Sequence, residues 1–275
     1  MKNLKLILVL LCTAALFFTG CTPTQEATTE DTAADTPTVI KVGATPVPHA
    51  ELLELVKDDL AAQNITLEIV EFTDYVKPNL ALNDGELDAN FFQHLPYLES
   101  FSKDHHLDLA SVATIHVEPL GVYSDTIESL DDLEEGSTIA IPSDAVNGGR
   151  ALILLQSNGL IKLKEGYTLE ATELDIVENP KNLVFKAIES AQLPRILPDV
   201  DAAVINGNFA LEAGFVPTED AVVLEGSDSP YANILVTRTD NKDNPEIQAL
   251  VKALQSDKIK DFILETYGGG VVPAF

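Results

Sequence analysis

Asn147, Gly148, Gly149 and Arg150 stand side by side, and together they suit an anion. A glycine turn opening a helix offers free backbone N–H groups, while the positive end of the helix disfavours a bare cation in its first turn. A carboxylate reverses that penalty, because the N–H groups and a bidentate guanidinium both hold it. The same residues also read as a surface arginine paired with Asp144. A second cluster, DANFFQHLPYLE from Asp88 to Glu99, gathers Phe91, Phe92, His94 and Tyr97 in a chain with 6% aromatic residues and no Trp. Adjacent side chains of a strand point to opposite faces, so the two phenylalanines cannot share one core.

Enzyme signatures are missing. The sequence has no nucleophile elbow, no phosphate-binding loop and no H-E-x-x-H pair. His116-Val117-Glu118 matches the H-x-E of zinc deaminases but lacks a C-x-x-C partner. The five histidines are scattered apart from His105-His106, and an exposed pair on a helix is ordinarily solvated. No metal, no cofactor and no catalytic residue is expected, so the chain reads as a binding protein and not an enzyme.

The start of the chain reads as an export signal. Lys2 and Lys5 precede an apolar run over 6–18, too short and wrongly flanked for a membrane span. The run ends in FTGC, which resembles a bacterial lipobox and makes Cys21 the lipidated (palmitate-bearing) residue. Cys12 is the only other cysteine and leaves with the signal, so stability must come from an ordinary core. Residues 22–37 are rich in Thr, Ala and acids and read as a self-repelling tether. A net charge of −27 repels nucleic acid and anionic lipid surfaces.

Strand and helix patterns alternate from Val39 onward, as in βαβ units on a mostly parallel sheet. VIKVGA (39–44), TLEIVEF (66–72) and LDANFF (87–92) read as strands with helices between them. STIAIPSD (137–144) and DAAVIN (201–206) are strands of a second set, with helices over 147–159 and about 182–191. SPYANILVTR returns as a strand, and helices over 246–255 and 258–266 close the chain. GELDANFFQH and DVDAAVINGN echo each other, each ending a strand in polar residues where parallel sheets bind ligands. Residues 115–123 and 229–236 read as paired crossings between two lobes, with a ligand cleft between them.

Several stretches resemble the methionine-binding lipoproteins of bacterial ABC importers, the NlpA/MetQ lipoproteins. They include GATPVPHAELLE, YVKPNLALNDGELDANFFQHLPYLE, IPSDAVNGGRALILL, NPKNL, SAQLPR, SPYANILVTR and GGGVVPAF. The resemblance implies a two-lobed α/β fold of the periplasmic-binding-protein type 2, closing on an amino acid. Its parts are a signal peptide over 1–20, a lipidated tether over 21–38, one lobe of 39–118 plus 234–275, and a second of 119–233. It implies a monomer, lipid-anchored through Cys21 on the outer face of the cell membrane, that serves an ABC permease and its ATPase. Tyr75, Phe92, His94 and Tyr97 would hold the thioether side chain. Asn147 and Arg150 would hold the α-carboxylate, with Asn206 and Asn233 completing the backbone contacts. Phe91 would then face the core. Gly148-Gly149 stands where many relatives carry bulkier residues, implying extra room beside the carboxylate for a methionine-containing dipeptide or D-methionine.

Overall fold

Two mixed sheets carry the chain between them, and the computed structural model describes residues 36–226 and 229–275. Cys21 and the tether expected over 22–37 lie outside them, apart from its last two residues. In chain order, β1 (Thr38–Ala44), α1 (Glu51–Ala61), β2 (Ile65–Glu71), α2 (Lys77–Asn83), β3 (Ala89–His94), α3 (Leu95–His105) and β4 (Leu109–Val117) come first. Then follow β5 (Gly121–Tyr123), β6 (Thr138–Pro142), α4 (Ala145–Ser157), β7 (Lys162–Leu163), β8 (Ile176–Glu178), β9 (Val184–Ile188), α5 (Leu193–Ile196) and β10 (Ala202–Ile205). The chain ends with α6 (Gly207–Glu212), α7 (Pro217–Asp220), β11 (Val223–Leu224), β12 (Ala232–Arg238), α8 (Pro245–Leu254), α9 (Asp257–Thr266) and β13 (Val272–Pro273).

The first sheet has the order β13-β4-β12-β3-β1-β2 and the second β11-β5-β10-β6-β9. Parallel pairing joins β2, β1 and β3, and likewise β10, β6 and β9. The returning strand β12 enters antiparallel between β3 and β4, and β5 lies antiparallel to β10. The sheets are therefore mixed rather than mostly parallel, because the chain leaves and re-enters each one.

One expected helix is a strand. Residues 182–191 show apolar spacing that suits a helix, yet Val184–Ile188 pairs parallel with β6. Asn182 takes a left-handed φ of 52°, which ends any helical run there. The β-branched and aromatic residues that follow suit a sheet edge better than their spacing suggests.

Each sheet has its own core. Leu52, Leu53, Val56 and Leu60 of α1 pack with α8 and α9 residues on the first sheet, and Leu152 and Leu155 of α4 pack on the second. A third cluster holds Tyr75, Phe92 and Tyr97 of the first set with Ile205 and Phe209 of the second. Thr36–Phe275 forms one compact unit, two-lobed in architecture. Among the described residues no helix is long and apolar enough to cross a membrane.

Candidate functional site

The carboxyl end of β3 separates two environments. Phe91 is fully buried in the core of the first sheet, where the His49 and His116 rings meet it edge-on at 4.7 and 5.3 Å. Phe92 turns the other way and joins Tyr75 and Tyr97, at 5.9 and 6.1 Å between ring centroids. The expected opposition of the two rings is present. Between them, Gln93 exchanges amide hydrogen bonds of 2.7–2.8 Å with Asn79 of α2, which fixes that strand end to its helix.

His94 caps α3, and its Nδ1 accepts from the Tyr97 backbone N–H at 3.2 Å. That leaves the hydrogen on Nε2, which donates to Asn147 Oδ1 at 3.2 Å. Burial, with the Arg150 charge nearby, holds the imidazole at about 3, so His94 is a neutral donor.

Helix α4 departs from the sequence reading in three respects. Asp144 caps it, accepting from the Asn147 N–H at 2.8 Å and from Asn147 Nδ2, so the helix already runs through Asn147-Gly148-Gly149 and no free-standing turn exists. Arg150 is consequently beyond the first turn, only 3% exposed, and is not paired with Asp144. Its Nε donates to Glu225 Oε1 at 3.1 Å, its Nη2 to Glu225 Oε2, and Nη2 also to the Glu118 carbonyl at 2.9 Å. The Tyr231 ring lies 4.2 Å from its Cζ. Nη1 has no hydrogen-bond partner among the described residues.

The glycines do not add room to the pocket. A Cβ on Gly149 would fall 2.2 Å from the Leu169 carbonyl oxygen, and one on Gly148 would fall 2.8 Å from that of Pro142. Both serve close approach of α4 to neighbouring backbone. Gly148 and Gly149 therefore supply no extra space beside the carboxylate for a dipeptide or D-methionine.

On the opposite wall, Asn206 caps the end of β10 and donates Nδ2 to Asn147 Oδ1 at 2.8 Å. Among the described residues its own Oδ1 is buried without a partner, as is Asn208 Nδ2. Tyr75 donates its hydroxyl to Asn208 Oδ1 at 2.5 Å, joining one sheet's residues to the other's. Asn233 of β12 approaches His49 Nε2 through Oδ1 at 3.1 Å.

These groups surround one tight cavity, with about 20 Å³ open to a water-sized occupant. All eight residues named from the sequence line it, together with Gln93, Glu118, Gly207 and Asn208. One side is aromatic; the other offers a guanidinium and a ring of amides, two of them with unsatisfied atoms. Such a site suits a small ligand with an apolar tail and a charged head.

Residues 40–275 match the NlpA lipoprotein family. The chain belongs to the NlpA lipoprotein family. Outer membrane lipoprotein 2 of Mannheimia haemolytica is 41% identical over 274 residues, covering 98% of this chain and 99% of the relative. The D-methionine-binding lipoprotein MetQ of Escherichia coli K12 is 44% identical over 239 residues, 86% of this chain and 88% of that one. Among solved structures, a nutrient-binding protein from Burkholderia cenocepacia bound to methionine is 46% identical. It superposes with a TM-score of 0.84, covering 86% of this chain and all of that one. The sequence reading left Glu118 and Asn208, which line this cavity, and Glu225, which holds Arg150, out of its site residues. Asn208 was legible at the strand end after Asn206-Gly207, whereas Glu118 was passed over with the H-x-E motif.

Proposed function

We propose that this NlpA lipoprotein is the extracytoplasmic substrate-binding component of an ABC importer, and that methionine fills the cavity between its sheets. The observation that carries the reading is the cavity's two-sidedness: Tyr75, Phe92 and Tyr97 face Arg150 and the amides of Asn147, Asn206 and Asn233 across one enclosed space. The likeness to a protein solved with methionine bound supports it. Burying the thioether chain contributes about 1.5–3 kcal/mol, and sulfur–aromatic contacts roughly 0.3–1.5 kcal/mol each. The charged head is desolvated at a cost that directed hydrogen bonds offset. Arg150 Nη1 would receive the α-carboxylate, because Glu225 already occupies the other edge of the guanidinium.

In this reading the lobes are 39–118 plus 234–275 and 119–233, hinged where the chain crosses between sheets. A ligand shared by both lobes favours the closed arrangement. Cys21 would carry the lipid that keeps the monomer at the outer face of the membrane, within reach of a permease driven by its ATPase. The role is binding and delivery, not catalysis.

Thermal denaturation of unfolded-and-refolded, ligand-free protein with L-methionine, D-methionine, leucine and a methionine dipeptide tests the substrate. Methionine should raise the melting temperature well above leucine, and the two enantiomers assign the hand. A melting temperature unmoved by methionine but raised by leucine or the dipeptide would overturn the substrate assignment.

A further inference from the structure

Among the described residues Arg150 is the only cation on the cavity wall, and the eight residues named from the sequence supply no anion beside it. A zwitterionic amino acid needs both. Glu118 lines the same cavity at the head of the crossing from β4 to β5, and it is 5% exposed. Its Oε1 lies 2.7 Å from His116 Nε2 and 3.2 Å from His49 Nε2, and the Asn208 backbone N–H also reaches its carboxylate.

The tautomers follow from the partners. His49 Nε2 also faces the amide oxygen of Asn233 at 3.1 Å, and an amide oxygen only accepts, so Nε2 carries the hydrogen. His49 Nδ1 then accepts from the Thr45 hydroxyl at 2.7 Å. Burial keeps both imidazoles uncharged at neutral pH, near 4 for His49 and 3 for His116. Burial pushes the Glu118 carboxyl up, and two neutral N–H donors converging on one carboxylate oxygen, with the Asn208 N–H and the Arg150 charge, act against that and favour its ionised form.

The other oxygen points to α6. A Cβ on Gly207 would fall 2.8 Å from Glu118 Cβ and 3.4 Å from Oε2, so glycine is what lets the carboxylate sit against the helix start. Next to Gly207, Asn206 Oδ1 is a buried acceptor with no partner among the described residues. An ammonium has three donors and no acceptor, and seeks such a set. The spacing also fits, since Arg150 Nη2 touches the carbonyl of the residue that bears the carboxylate. Anion and cation subsites are adjacent, as the two charged groups of an α-amino acid are.

We propose that Glu118, held by His49 and His116, receives the ligand's α-ammonium together with Asn206 Oδ1, so that the cavity selects ligands with a free α-amino group. The proposal rests on the methionine reading above and adds its second charged contact. The same three side chains bring their donor atoms within 4.8 Å of one another, a spacing that would also suit a metal ion, and the experiment separates the two roles.

Calorimetric titration of ligand-free full chain with L-methionine and with 4-(methylthio)butanoate, which lacks only the amino group, tests it. Wild type should prefer methionine by about 10- to 100-fold, the worth of a charged hydrogen bond. Glu118→Gln should weaken methionine by a similar factor while leaving the desamino ligand within about threefold, so that the preference disappears. His116→Leu should shrink the preference and His116→Gln, which retains a donor, should largely keep it. A wild type that binds both ligands equally overturns the proposal whether or not the variants fold. So does a Glu118→Gln variant that loses both ligands equally, or one that loses a bound Zn²⁺ and keeps its methionine affinity. A wild type that binds neither ligand overturns the methionine reading itself.

Discussion

Glu225 holds Arg150 by two hydrogen bonds, from Nε to Oε1 and from Nη2 to Oε2. The pair fixes the guanidinium against Tyr231 and leaves Nη1 for a ligand. Removing one partner of a buried pair leaves the other charge uncompensated. Glu225→Ala should therefore lower the stability of the ligand-free protein by about 2–4 kcal/mol. Because the ligand's carboxylate then becomes the main counter-ion of Arg150, methionine should raise the melting temperature of this variant more than that of wild type. An equal or smaller rise would mean that the two carboxylates do not share the guanidinium.

Phe91 and Phe92 should separate stability from recognition. Phe91→Ala opens a hole in the core of the first sheet and should cost about 3–5 kcal/mol in denaturant unfolding of the ligand-free protein. Phe92→Ala should show its larger effect in methionine affinity, through lost contact with the thioether. The reverse pattern would mean that β3 presents its other face to the ligand.

Gly149 tests the corrected account of α4. In an open helix Gly→Ala stabilises by up to about 1 kcal/mol. Here the new methyl meets the Leu169 carbonyl, so Gly149→Ala should destabilise by about 1–3 kcal/mol. Thermal melts decide the sign, and a stabilised variant would show that residues 169–171 yield without cost.

Acid should weaken the fold through its buried histidines. His49 is held at about 4, and His94 and His116 at about 3, below the roughly 6.5 of an unfolded chain. Between those values the unfolded state binds more protons, so the stability each contributes is lost as pH falls from about 6.5 toward its folded value. Glu118 and Asp144, whose carboxyls burial pushes up, act in the opposite sense. The informative quantity is thus a difference. His94→Gln should flatten the loss of stability between about pH 6 and about pH 4 by up to about 1.4 kcal/mol per pH unit. An unchanged slope would place the protons elsewhere.

Much of this was legible where physics is local. The alternation of β3, the aromatic run beside it and the polar residues ending β3 and β10 follow from neighbours in sequence, whereas the full set of eight residues that line the cavity came from the family resemblance, since nothing local singles out Tyr75 or Asn233. What stayed hidden depends on distant partners. Glu225 lies 75 residues beyond Arg150, so the local Asp144 looked like the counter-ion, although capping α4 already engaged it. Gly148-Gly149 looked like spare volume because nothing nearby names Leu169 or Pro142 as the atoms they clear. His116-Val117-Glu118 looked like half of a catalytic motif until β4 brought His49 against it. Val184–Ile188 became a strand because β6 offered an edge, a choice its own spacing does not encode.

The central claim is that one cavity holds a thioether amino acid by its carboxylate and its side chain at once. Calorimetric titration of refolded, ligand-free wild type and Arg150→Ala with L- and D-methionine measures this most directly. Wild type should bind methionine saturably and one-to-one, and the variant should lose several kcal/mol, from a charge-assisted, desolvated contact. Equal affinity in both proteins, or no binding by a folded wild type, would contradict it.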